Sequence, residues 1–295
     1  MQKLIIEARV NEYAKRDVNK KVPWLPEELA RDAAECAEAG ASIVHFHGRG
    51  ADGAPDHSFE IYRDIALAMR ARTDVLQHPT LGYITLDAPA EERISNIKRL
   101  AARPETKPDF APMDMGSFNV DVYDPEKKRY QTQNLIYKNS TETLAHFAGV
   151  IRAAGMAPYL STWSVGAMRQ ITTFLDMGVL TAPALCCYIL TGDILPAGHP
   201  GTAAGLDAHT PFLPKRHRLE WSVCNYNGDL LPLVDKIVAE GGHVSIGLGD
   251  YPYEEYGKPS NAELIRKVAD IAKKHGREVA TVAETRAMLG MPPRG

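Results

Sequence analysis

The sequence predicts a (β/α)8 barrel, with residues 1–295 forming a single domain. Three observations carry this. Short apolar, strand-like runs alternate with amphipathic helical stretches, the mark of a parallel sheet with crossover helices. Eight such units within 295 residues suit a closed barrel better than an open doubly wound sheet. No GxGxxG or GxxxxGK[ST] run follows a strand, which weighs against dinucleotide and nucleotide folds.

Residues 4–11 (LIIEARVN) form the first strand. Ile6, Ala8 and Val10 share one face, while Glu7, Arg9 and Asn11 share the other. A buried parallel strand is normally apolar on both faces, so the charged face is expected to point into a polar site. Pro26 and the acids behind it open a helix that Gly40 closes. Residues 42–49 (SIVHFHGR) follow as the second strand, and His45 and His47 fall on one face at spacing two. The alternation continues with a helix over 58–72, a strand over 74–82, a helix over 90–102 and a strand over 108–117. Residues 121–138 are polar and read as an inserted loop or hairpin. Next come a helix over 140–155, a strand over 157–163, a helix over 165–178 and a strand over 182–191. The Gly- and Pro-rich residues 192–211 read as a second inserted loop, a length that usually serves function. A short helical piece over 212–219 precedes strand seven at 220–226. A helix over 229–240, strand eight at 243–249, and helices over 261–275 and 283–289 complete the chain.

The composition sets limits on partners. A formal charge of −3 leaves no basic footprint for nucleic acid. No apolar run reaches the length of a membrane span, and the N-terminus lacks a signal-peptide pattern, so a cytoplasmic protein is expected. Cys36, Cys186, Cys187 and Cys224 form no CxxC pair and read as buried free thiols.

Barrel sites gather at the C-terminal ends of the strands. Those ends supply Asn11 and Glu12, His45, His47 and Arg49, His78 and Thr80, Asp114, Ser117 and Asn119, Ser161, Asn225 and Asn227, and Asp250. Two imidazoles among carboxylates suit a divalent cation, which can polarise a carbonyl while a nearby carboxylate moves a proton.

The blocks Glu38–Arg49 (EAGASIVHFHGR), Gly241–Val244 with Gly247–Asp250, and Ala280–Leu289 carry a resemblance covering nearly the whole chain. The chain resembles the β-keto acid cleavage enzymes, including the 3-keto-5-aminohexanoate cleavage enzymes of lysine fermentation. The resemblance implies a zinc-dependent TIM barrel, homo-oligomeric as a dimer or tetramer. It also implies retro-Claisen exchange of a β-keto acid with acetyl-CoA, giving acetoacetate and an acyl-CoA. By position, His45 and His47 look like the imidazole ligands and Asp250 like the acid that works with an arginine. Thr80, Gly82, Gly116, Ser117 and Asn11 are the expected substrate contacts. Nickel or iron could take the place of zinc.

The chain departs from the family pattern in strand eight. Gly249 stands where the family carries a zinc-binding Glu, and Ser245 where it carries an arginine. Strand one instead offers Glu7, Arg9 and Glu12, and strands one and eight are neighbours in a closed barrel. The missing groups are therefore expected from strand one. Parity along the strand favours Glu7 as the third metal ligand, and height favours Glu12. With Glu7 taken as the third ligand and Glu12 as its competitor, Arg9 and Glu12 are expected to join Asp250 in catalysis. No basic patch for the CoA phosphates stands out; Lys215, Arg216 and Arg218 are candidates, but a solvated helix face is the reading favoured for them. The competing functions are a metal-dependent barrel aldolase or lyase that needs no CoA, and a non-catalytic metal- or ligand-binding barrel.

Overall fold

A computed structural model describes residues 2–82 and 87–292. Eight parallel strands form the barrel wall. They are β1 (Ile6–Arg9), β2 (Ile43–Phe46), β3 (Leu76–Pro79), β4 (Phe110–Met115), β5 (Ala157–Thr162), β6 (Ala184–Thr191), β7 (Leu219–Tyr226) and β8 (His243–Ile246). Their order is β3-β2-β1-β8-β7-β6-β5-β4. This is the (β/α)8 fold.

The seam between β3 and β4 is closed by Asp109. Its backbone N–H donates to Gln77 O at 3.1 Å, and its carboxylate accepts from Gln77 N at 2.9 Å and from Arg70 at 2.8 Å. Arg286, from the helix Val282–Met288, donates to the other carboxylate oxygen. That helix is started by a capping box between Thr281 and Glu284. It brings Ala280 and Leu289 into the interior cluster with Ile5, Ile43, Leu76 and Phe110. The larger apolar layer lies between the outer strand faces and the helices, where Leu29, Ile65, Phe147, Ile171, Val234 and Ile265 are buried. The helices at Pro26–Ala39, Phe59–Arg70, Thr141–Ala153, Val165–Asp176, Leu231–Ala239 and Asn261–Lys274 agree with the periodicity read from the chain.

Three local differences emerge. The helix expected over 90–102 breaks at Ile94 into Ala90–Arg93 and Ser95–Ala101. The second inserted loop contains a short helix, Ala203–Asp207, because the Thr202 side chain caps it by accepting from Gly205 N. The helical piece expected over 212–219 is instead one 3-10 turn at Thr210–Phe212, followed by a turn at residues 215–216 that leads into β7. The first insertion is two small antiparallel ladders, pairing Phe118–Asn119 with Ile136–Tyr137 and Tyr123–Asp124 with Arg129–Tyr130.

Candidate functional site

The register of β1 on β2 sets Arg9 beside His45 and brings Glu12, just past β1, over both imidazoles. Glu12 Oε1 is 3.0 Å from His45 Nε2, and Glu12 Oε2 is 2.5 Å from His47 Nε2. These three residues form a buried group whose ligand atoms lie within 4.8 Å of one another. Glu12 adopts φ +33°, a backbone state that costs energy for a residue with a side chain. Arg49 holds it there, donating to Glu12 O at 2.7 Å and to Ala14 O at 3.0 Å. The Asn11 amide brackets the other ligand strand. Its Nδ2 donates to His47 O and its Oδ1 accepts from His47 N, both at 2.9 Å. Asn11 thus orients His47, and its side chain is committed to that strand and stands off the cavity lining.

The donor chemistry fits a cation. His45 Nδ1 lies 2.8 Å from His78 O, an atom that can only accept, so Nδ1 carries the proton and Nε2 presents a lone pair. That lone pair faces a carboxylate oxygen, and two acceptors at 3.0 Å need a positive charge between them. A proton is disfavoured: burial pushes the pKa values of His45 and His47 below the ordinary imidazole range, with Glu12 opposing. Two imidazole nitrogens and a carboxylate oxygen are a donor set for zinc, and one that nickel and iron also accept.

Glu7 does not join this group. Its carboxylate points into the barrel below the two imidazoles and is already fully engaged. It accepts from His78 Nδ1 at 2.8 Å, from Ser245 Oγ at 2.5 Å and from the Tyr159 hydroxyl. Burial alone would raise its pKa, but the His78 bond and neighbouring charges win and bring it down to about 2. Glu7 is a charged tie across strands 1, 3, 5 and 8, and the carboxylate brought to the imidazoles is that of Glu12. Strand parity was the misleading signal, because the chain turns sharply just past β1 and swings Glu12 inward.

Gly249 explains why Glu12 can be there. A Cβ on Gly249 would stand 2.6 Å from Glu12 Cγ and 2.9 Å from Arg9 O. Arg9 Nε donates to Asp250 Oδ1 at 2.9 Å, and the same guanidinium pairs with Glu12. Burial raises the Asp250 carboxyl to about 7, with Arg9 opposing and Glu12 adding to the rise. Its Oδ2 is buried and has no partner among the described residues.

Arg9, Glu12, His45, His47 and Thr80 line one cavity at this mouth, with His78 and Asp114 also on its wall. Tyr137 and Trp163 join them, both hydrogen-bonded to Asp114 at 2.9 Å. Tyr137 arrives from the inserted ladder, a position that periodicity along the chain cannot reveal. Trp163 stands two residues beyond Ser161 on the inward parity of β5, a signal that was available.

The other expected substrate contacts lie off the cavity lining. Gly82 packs toward His57, Gly116 forms a turn at φ +88°, and Ser117 Oγ accepts from Asn139 N at 2.8 Å at the base of the inserted ladder. Lys215, Arg216 and Arg218 are corrected more sharply. They precede β7 at the opposite end of the barrel, and Arg216 and Arg218 pair there with Asp176 and Glu220.

Fold and site together define a (β/α)8 barrel with a His-His-Glu cluster at its catalytic mouth. Residues 3–291 match the beta-keto acid cleavage enzyme family, and the chain belongs to it. It is 27% identical to a 3-keto-5-aminohexanoate cleavage enzyme of Fusobacterium nucleatum, covering 99% of both chains. It is 25% identical to a 3-oxoadipate:acetyl-CoA acetyltransferase of Cupriavidus necator, covering 94% of this chain and 90% of that one. Among solved structures it is similar to ObcA in ternary complex with a C4-CoA adduct and oxalate. That similarity has a TM-score of 0.72 at 14% identity, over 92% of this chain and 67% of the other, and it supports the fold alone.

Proposed function

We propose that this protein is a metal-dependent β-keto acid cleavage enzyme that exchanges acyl groups between a β-keto acid and acetyl-CoA. The observation that carries the reading is the Glu12, His45 and His47 cluster beside the Arg9–Asp250 pair, in a chain of this family. Glu12, His45 and His47 would hold the cation, with zinc the best match. When bound, the cation would serve as a Lewis acid toward the keto acid oxygens.

The chain's own groups account for the rest. Arg9, fixed between Asp250 and Glu12, points a permanent positive charge into the cavity, where oxyanions develop. Asp250 and Arg9 together handle the proton lost from C2, since Asp250 has an unpartnered oxygen and an acidity near neutrality, as a general base requires. The C2 carbanion equivalent then attacks the acetyl carbonyl, forming a C–C bond as the CoA thiolate leaves. That thiolate attacks the original keto carbon, forming a new thioester as the C2–C3 bond breaks. The proton returns to C2, and acetoacetate and the new acyl-CoA depart. Thr80, which lines the cavity, is the residue of the expected substrate-binding set that would touch the keto acid. A dimeric or tetrameric assembly and a cytoplasmic location are part of the same reading. Among the described residues no helix is long and apolar enough to cross a membrane.

The test is turnover of a β-keto acid panel by zinc-loaded protein. Acetoacetate and acyl-CoA formed only when acetyl-CoA is present support the reading. Cleavage without acetyl-CoA would indicate an aldolase or lyase, and full metal loading with no turnover would indicate a binding barrel.

A further inference from the structure

The cavity wall carries a carboxylate that the acyl exchange leaves without a role. Asp114 projects from β4 into the cavity and is only partly covered. Its Oδ1 accepts from Trp163 Nε1 at 2.9 Å, and its Oδ2 from the Tyr137 hydroxyl at 2.9 Å. An indole N–H can only donate, so the residues around Asp114 treat it as an acceptor. Among the described residues no lysine, arginine or histidine side chain forms an ion pair with it. Arg9, which lines the same cavity, is committed to Asp250 and Glu12. Residues 83–86, which follow Gly82, add no basic side chain by sequence. A second acceptor lies lower in the cavity: His78 gives its Nδ1 proton to Glu7, and its Nε2 is buried with no partner among the described residues.

We infer that Asp114 determines substrate specificity, selecting a β-keto acid that bears an ammonium group beyond its keto carbon. The inference rests on the acyl-exchange reading and deepens it by naming the substrate class. An acid on the cavity wall with two neutral donors and no basic partner among the described residues is matched by a positive charge on the ligand. A substrate ammonium supplies that charge, while the anionic end of the same molecule is turned to the cation site and Arg9. An alkyl chain at this position leaves Asp114 unpaired. A second carboxylate sets two like charges together, which is worse. Family membership alone does not make this choice, because one relative is named for an amino-substituted substrate and another for a dicarboxylate.

Three six-carbon acids that differ only at the distal end test this on the zinc-loaded full chain: 3-oxo-5-aminohexanoate, 3-oxohexanoate and 3-oxoadipate. The expected kcat/KM for the amino acid exceeds that for 3-oxohexanoate by at least ~10-fold, with 3-oxoadipate lowest. In Asp114→Asn the amino acid falls by at least ~10-fold, while 3-oxohexanoate holds or rises and 3-oxoadipate, relieved of the like charge, rises most. Tyr137→Phe removes one of the two donors that favour the charged carboxylate. It reduces the preference in the same direction, which keeps the test informative if Asp114→Asn fails to fold. Calorimetric Kd values for the three acids without acetyl-CoA report the same preference independently of turnover. If none reacts yet the amino acid binds best and loses that advantage in Asp114→Asn, the subsite stands and the acyl-exchange reading falls. Turnover or binding that favours 3-oxohexanoate or 3-oxoadipate overturns the inference and leaves the reaction in place. An equal loss for all three acids in Asp114→Asn also overturns it.

Discussion

The Cβ that Gly249 lacks would stand 2.6 Å from Cγ of Glu12, so a side chain beyond the end of β8 and the Glu12 carboxylate compete for one space. Gly249→Ala is therefore expected to push Glu12 off the two imidazoles while leaving the barrel folded. Metal affinity measured by chelator competition should fall by about 10- to 100-fold, with a far-ultraviolet circular dichroism spectrum like that of the parent. Unchanged affinity would mean that Glu12 has other room, or is no ligand.

Asn11 makes no contact with the cavity, yet both of its side-chain hydrogen bonds end on the backbone of His47. Asn11→Ala leaves that buried N–H and C=O unpaired, which should lower stability by about 1–3 kcal/mol in a urea titration. Because the same loss frees His47, metal affinity should fall as well. A drop in stability with metal affinity untouched would make Asn11 a structural residue only.

Asp250 supplies a pH dependence. Burial raises its carboxyl to about 7, and it must be ionised to take a proton. The kcat/KM of the metal-loaded enzyme should thus rise with unit slope up to that region and level off above it. A bound cation nearby moves the limb to lower pH. Asp250→Asn should lose most of the rate together with this limb, and a variant that keeps the limb would assign it to another group.

Much of this was legible in the chain. Proline, glycine and apolar spacing mark the βα units because they act locally. The charged face of β1 and the His-x-His of β2 announce a polar interior because strand parity is itself a local rule. What escaped depends on long-range placement. Parity cannot choose between Glu7 and Glu12, since the turn at φ +33° lies past the strand and is held by Arg49 from β2's far side. Tyr137 reaches the cavity only through pairing of the inserted ladder, which the polar run 121–138 does not encode in any period. Lys215, Arg216 and Arg218 cluster in sequence, but they lie at the wrong end of the barrel because they precede a strand instead of following one.

Glu7 has its own signature in stability. Its carboxyl is held down at about 2, so its contribution is fully present above pH 4.5 and is lost as pH falls from there through about 2. The shift corresponds to on the order of 3 kcal/mol. Glu7→Gln should lower stability by a similar amount near neutral pH and flatten the acid side of the stability profile. An unchanged profile would remove Glu7 from its place as a charged tie.

The most direct test of the central claim is metal stoichiometry in two single variants, Glu12→Gln and Glu7→Gln, after dialysis against a weak chelator. The geometry predicts that Glu12→Gln loses bound metal while Glu7→Gln keeps one equivalent per chain despite its lower stability. Full metal in Glu12→Gln, or loss confined to Glu7→Gln, would contradict the assignment of Glu12 with His45 and His47 as the metal site.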